Sequence, residues 1–417
     1  MNALIKAATI IDSTSSHHGT TVDIRIKYGK IRLIGQNLSQ EKGEQLIQIE
    51  NLFVSQGWFD SSVSIGQPGY EERETIDNGL TVAAKSGFTG VAINPNTYPI
   101  LDTSADITFV SKMGEGHATS IFPIGALTRN SESVDLAELY DMQQSGAVAF
   151  GDYQRAITNP NLLKIALQYA QGFQGLVLSF PQEDKIAGTG KMNEGVTSTG
   201  IGLKGIPAIA ESLHIARDLH ILEYTGGKLH IPTISTAASV ALIKEAKNKG
   251  LDVSCSVAIH NLFYTDKALL DFNTNYKVVP PLRAQEDVDA LIAGIKDGTI
   301  DMVTSDHNPL DIERKQVEFD NATFGTISQE ATFGALLTLV SEKKAVQLLT
   351  NGRKRFTQSS FPIEKNTKAN LTLFTTKGSY VFSESDILSK SKNACFLGAK
   401  LKGNVFGIIA NQKIVLK

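Results

Sequence analysis

The sequence predicts an α/β protein: a (β/α)8 barrel of the TIM type with a small β domain built from both chain ends. Three observations predict it. Apolar runs alternate with segments of helical period from about Phe53 to Arg353, both ends of the chain read instead as short strands, and 417 residues suit one large barrel plus an accessory domain.

Residues 1–53 form the first part of the β domain: NALIKAATII, then DIRIKYGKIRLIG with YGK as a tight turn. Over 54–353 the expected barrel strands are LFVSQGWFD (which starts at Leu52), TGVAI, TSIFPIGAL, AVAF, GLVLSF, KLHIPTI, LDVSCSVAI and IDMVTSD. The helices between them are TIDNGLTVAAKSG, NPNLLKIALQYAQGF, IPAIAESLHIARDLHILEYTG, TAASVALIKEAKNKG and QEDVDALIAGIKDG, several of which close on the glycine that stops a helix. Residues 354–417 return to strands in NLTLF, SYVF and NVFGIIANQKIVLK, expected to complete a β-sandwich with the N-terminal strands.

Composition narrows the function. With 40 basic and 43 acidic residues the net charge is -3, which argues against nucleic acid or an anionic membrane as partner. Two cysteines, Cys255 and Cys395, build neither a disulfide framework nor a thiolate zinc cluster, and they suit a reducing cytoplasm. No apolar run approaches the ~20 residues of a membrane span, and MNALIKAATIIDSTSS lacks the cationic start and apolar block of a signal peptide. The expectation is a cytoplasmic protein that meets small molecules or other proteins.

A barrel keeps its chemistry at the C-terminal ends of its strands. A metal-dependent hydrolase on this scaffold wants H-x-H on the first strand, because i, i+2 spacing turns both imidazoles to the pore, with further histidines on later strands and an aspartate on the last. None of the eight histidines is spaced i, i+2 from another. His17, His18, His117, His214 and His220 read as surface or packing residues and His230 as a satisfied buried one, leaving His260 and His307 at strand ends. Asp152 and Asp306 also stand at strand ends, where a chemical role and a capping or ion-pairing role weigh equally.

Long stretches carry a resemblance: MNEGVTSTGIGLKGIPAIAESLHIARDLHILEYTGGKLHIPTISTAASV, NYKVVPPLRAQEDVDALIAGIKDGTIDMVTSDHNP, FGTISQEATFG and SKNACFLGAKLKGNVFGII. In this order they resemble bacterial dihydroorotase, of the amidohydrolase superfamily, which makes dihydroorotate from carbamoyl aspartate in pyrimidine synthesis. The resemblance implies a barrel of the amidohydrolase type and departs from the family at the metal site. Where the family reads D-x-H-x-H-x-R-x-P-G this sequence reads DSSVSIGQPG, with Ser62 and Ser64 at ligand positions and Gly66 at the substrate-binding arginine. LVLSFPQED puts Ser179, and HIPTIST puts Thr233, where the other two ligand histidines belong. Val279 and Leu310 replace further substrate contacts; Asn96 and Arg283 remain as vestigial ones, Asp152 as a remnant of the bridging carboxylate and Asp306 as the retained catalytic aspartate.

Hydroxyls are weak neutral ligands for zinc. The resemblance therefore implies a catalytically inactive dihydroorotase homologue with no cofactor. Because some bacteria pair aspartate transcarbamoylase with such a homologue, it also implies a structural or regulatory partner of that enzyme, with a homo-oligomer possible. Two alternatives stand beside it. One is an active cyclic-amide hydrolase with zinc in a rebuilt site around Asp306, Asp152, His260 or His307; the other is a small-molecule sensor using Asn96 and Arg283.

Overall fold

The computed structural model describes residues 1–417. At the N-terminal end lie β1 (Asn2–Ile11), β2 (Thr21–Lys27), β3 (Lys30–Gly35), β4 (Gln45–Gln48) and β5 (Phe53–Gln56). The β2–β3 hairpin turns on Tyr28 and Gly29, both at positive φ (53° and 71°), the geometry that matches the twist of paired strands.

The barrel strands are β6 (Trp58–Val63), β7 (Phe88–Ile93), β8 (Ser120–Gly125), β9 (Ala149–Phe150) and β10 (Leu176–Leu178). A small parallel pair, β11 (Met192–Asn193) and β12 (Gly205–Ile206), lies in the next connection. Strands β13 (Lys228–Ile231), β14 (Val253–Ala258) and β15 (Met302–Thr304) complete a parallel sheet in the order β6-β7-β8-β9-β10-β13-β14-β15. Polar contacts bring its two ends together. The buried Asp60 carboxylate of β6 accepts hydrogen bonds from the Thr304 hydroxyl and from the Ser305 amide and hydroxyl, while Ser64 N–H donates to the His307 carbonyl at 2.7 Å. Inside, Phe59, Ala92, Ile124, Ala149, Leu176 and Met302 pack with Phe356, so the lower pore is solid core.

Strands β16 (Leu371–Val381), β17 (Lys400–Ala410) and β18 (Lys413–Leu416) join the N-terminal ones. The sandwich expected from both chain ends is, by its hydrogen bonding, one continuous eight-stranded sheet, β18-β17-β16-β5-β1-β2-β3 with β4 paired to β1. Irregular register in β1 and β16 bends it, and one apolar cluster draws Ile5, Ile24, Ile31, Val54, Leu373 and Ile409 from strands across it.

Three differences from the sequence reading have local causes. LFVSQGWFD is two strands in two sheets, broken at Gly57, where a Cβ would lie 2.1 Å from Thr89 Oγ1 and 2.2 Å from Asn370 Oδ1. The helix Ser104–Met113 buries only Ile107 and Val110, too few apolar positions to show a period, and is fixed by a Thr103–Asp106 capping box. The helix Glu342–Thr357 runs through Arg353, where a break between domains was expected. No helix is long and apolar enough to cross a membrane.

Candidate functional site

Ser62 and Ser64, two residues apart at the end of β6, point the same way. The Asn94 side-chain amide, just beyond β7, donates to both hydroxyls at 3.1 and 3.2 Å. Ser62 in turn donates to Asp306 Oδ1 at 2.8 Å. The Tyr153 hydroxyl approaches that oxygen at 3.4 Å; the Gln154 amide lies 3.5 Å from Oδ2 and donates to the Val279 carbonyl at 3.0 Å. Hydroxyls and amides thus close the barrel mouth over Asp306.

The space left is a cavity of about 20 Å³ lined by Ser62, Asn94, Asp152, Tyr153, Thr233 and Asp306 among others. That is room for about one water molecule, not for a six-membered cyclic amide. Burial pushes the Asp306 carboxyl up to about 7, and the nearby Asp60 carboxylate pushes the same way against the hydrogen bond from Ser62. Tyr153 is raised well above the usual phenol range, first by burial and then by Asp306, so it stays a donor.

Three residues of this mouth hold left-handed backbone: Tyr153 (φ 56°), Thr233 (φ 49°) and Asp306 (φ 45°). For a β-branched residue such as Thr233 this is strained, and strain of this kind collects at functional sites.

The other sequence-predicted residues do not converge here. Asp152 lines the cavity, yet its oxygens are taken by the Leu127 and Thr128 amides at 2.9 and 3.1 Å and by the Thr128 hydroxyl, and burial raises its carboxyl. Ser179 turns away: its neighbours Leu178 and Phe180 line the cavity, while its hydroxyl faces His214 Nε2 at 3.4 Å. Strand alternation therefore does not give Ser179 the inward place expected of a ligand position. Arg283 is buried against Ser235 Oγ, Asn193 Oδ1, the Ile206 carbonyl and Glu211, with no side-chain donor turned to the mouth. Asn96 lies beyond the cavity lining with its Oδ1 unpartnered, and the inward amide is Asn94. His307 accepts from the Ser328 and Gln329 amides, and His260 is buried with both ring nitrogens unpartnered and its basicity lowered by burial to about 3. Neither lines the cavity. Leu310 is buried. At Gly66 a Cβ would sit 2.0 Å from the Tyr70 carbonyl oxygen, so this loop admits no arginine there.

These residues do not fit zinc. No three His, Cys, Asp or Glu side chains come together as a metal-holding group, and at the mouth Asp306 is the one carboxylate not already capped by backbone amides. The sequence reading missed Asn94, Tyr153 and Gln154 as the residues that fill the mouth; strand alternation from Ile93 would have found the first.

A parallel eight-stranded barrel with a sheet built from both chain ends is a fold shared with solved hydantoinases. The L-hydantoinase of Arthrobacter aurescens superposes with a TM-score of 0.86, covering 100% of this chain and 98% of that one at 21% identity. A dihydropyrimidinase of Brevibacillus agri gives 0.83 at 19% identity, covering 100% of this chain and 95% of that one. In sequence, the dihydro-orotase-like family model matches residues 52–239. The dihydroorotase of Geotalea daltonii is 36% identical over 425 residues, covering 100% of both chains, and that of Pelotomaculum thermopropionicum is 38% identical over 100% of this chain and 99% of its own. The chain belongs to the dihydroorotase family.

Proposed function

We propose that this chain is a dihydroorotase-like protein of pyrimidine metabolism that does not hydrolyse or close the dihydroorotate ring and acts as a structural or regulatory partner of aspartate transcarbamoylase. One observation carries the reading: the mouth of the barrel is filled by a hydroxyl–amide network around Asp306, leaving about 20 Å³ and no imidazole. In this reading Ser62, Ser64 and Thr233 stand where metal ligands once stood, no cofactor is held, and Asp306 is a retained residue without a nucleophile to activate. A neutral hydroxyl neither replaces an imidazole on zinc nor lowers the pKa of a bound water. Full-length similarity to the family supports a role carried by the outer surface of the fold.

The test has two arms. Dihydroorotate ring opening is followed with purified protein at saturating zinc beside an active dihydroorotase. No turnover is expected, and turnover that Asp306→Ala abolishes would overturn the inactive reading. Separately, the protein is mixed with aspartate transcarbamoylase from the same cell; co-elution and a change in that enzyme's activity or assembly are expected. Separate elution with unchanged activity would remove the partner.

A further inference from the structure

At the opposite end of the barrel a buried arginine borders a polar groove. Arg353, on the helix Glu342–Thr357, is 5% exposed, and no carboxylate lies within ion-pairing distance of it. One terminal nitrogen donates to Thr89 Oγ1 at 2.6 Å and to the Trp58 carbonyl at 3.3 Å, both neutral acceptors, while its Nε has no partner. The rings of Phe59, Phe122 and Phe361 surround the guanidinium at 5.5 to 5.8 Å. A buried cation without a counter-charge is costly, and its free donors ask for an anion.

Arg353 lines a groove of about 490 Å³ at the seam between the barrel and the end sheet. One wall is the outer face of its own helix, where Lys343, Lys344, Gln347, Thr350, Asn351 and Lys354 recur at helical spacing. Lys343, Lys344 and Lys354 make no ion pair. Asp12 is the one carboxylate in the lining and is already engaged: Oδ1 accepts from Thr14 and Gln56, and Oδ2 from the Ile363 amide at 2.8 Å. The His18 imidazole accepts from the Asp12 amide and adds no negative charge. Of the 18 lining residues only two are hydrophobic, so the groove suits a polar ligand.

We propose that this groove binds a small polyphosphate-bearing molecule. The cations stand at both ends of a helical face about 15 Å long at 1.5 Å per residue, which a single phosphate cannot span and a phosphate chain can. The guanidinium takes one end through the terminal nitrogen that has no protein partner, and the ammonium groups of Lys343 and Lys344 take the other.

The experiment is isothermal titration calorimetry of the full chain at low ionic strength with inorganic triphosphate, orthophosphate, a nucleoside triphosphate and a chloride control of matched ionic strength. Saturable binding of one triphosphate per chain is expected, with orthophosphate at least about tenfold weaker. Lys343→Gln with Lys344→Gln, one exposed and one half-buried, weakens binding about tenfold, as does Arg353→Lys, which keeps charge but loses the planar terminal donor. A nucleoside triphosphate that binds more tightly supports the site and identifies a nucleotide; equal affinity supports it and identifies the phosphate chain alone. Absence of saturable binding, or binding indifferent to the lysine pair, overturns the proposal whatever becomes of Arg353→Lys.

Discussion

At the scale of single residues, Asp306 is a buried carboxyl at the barrel mouth, bonded by the Ser62 hydroxyl with Tyr153 and Gln154 close by. Its carboxyl is raised to about 7, mainly by burial, against about 3.9 in an unfolded chain. The folded state therefore holds a proton that the unfolded state releases between about pH 4 and 7. The associated stability is fully present below pH 4 and is lost as pH rises through 7. Asp306→Asn keeps an acceptor for Ser62 and removes the titration, so the variant gains up to about 4 kcal/mol relative to wild type at pH 8 and little at pH 4. Urea unfolding across that range reads the difference, and parallel pH profiles for the two proteins would refute it. Gly66 gives the opposite lesson. An arginine there drives a Cβ against the Tyr70 carbonyl, so Gly66→Arg loses about 1 to 3 kcal/mol by thermal or urea melts. The serines at 62 and 64 were legible as departures from a motif, but their new partners were not, because Asn94, Tyr153 and Asp306 come from three other strand ends.

At the scale of elements, Arg283 has become a clamp. Its guanidinium ties Asn193 of β11 and the Ile206 carbonyl of β12 to Ser235 and Glu211, while Glu211 accepts from the Ser235 and Thr236 amides that open the helix Ala237–Asn248. Removing one partner of a buried ion pair strands the other. Arg283→Met is expected to cost about 3 to 5 kcal/mol and to shift the first site of limited proteolysis into residues 188–206; an unchanged cleavage pattern would refute the clamp. The long amphipathic helices and the buried strands were legible from their periods. The helix Ser104–Met113, carrying two buried side chains, and the split of residues 52–60 at Gly57 were not, because a capping box and a close approach to Asn370, more than 300 residues away, decide them.

At the scale of the whole molecule, the pore and the scaffold have separate fates. The barrel closes through Asp60 to Thr304 and Ser305, and its lower pore is packed by Phe59, Met302 and Phe356, so neither feature draws on the mouth network. The architecture was readable from the rhythm of strands and helices because it is a property of many residues at once; the closure of the mouth rests on a few contacts between distant strand ends, which leave no periodic trace in the sequence. A role carried by the outer surface then makes a sharp demand. A variant with Ser62→Ala and Asp306→Asn together should disrupt the mouth, leave the fold intact by circular dichroism, and bind aspartate transcarbamoylase within about twofold of wild type, a difference below 0.5 kcal/mol. Loss of that binding in a folded double variant would tie the partnership to the pore, and a pore that matters to a partner is one whose contents the partner reads.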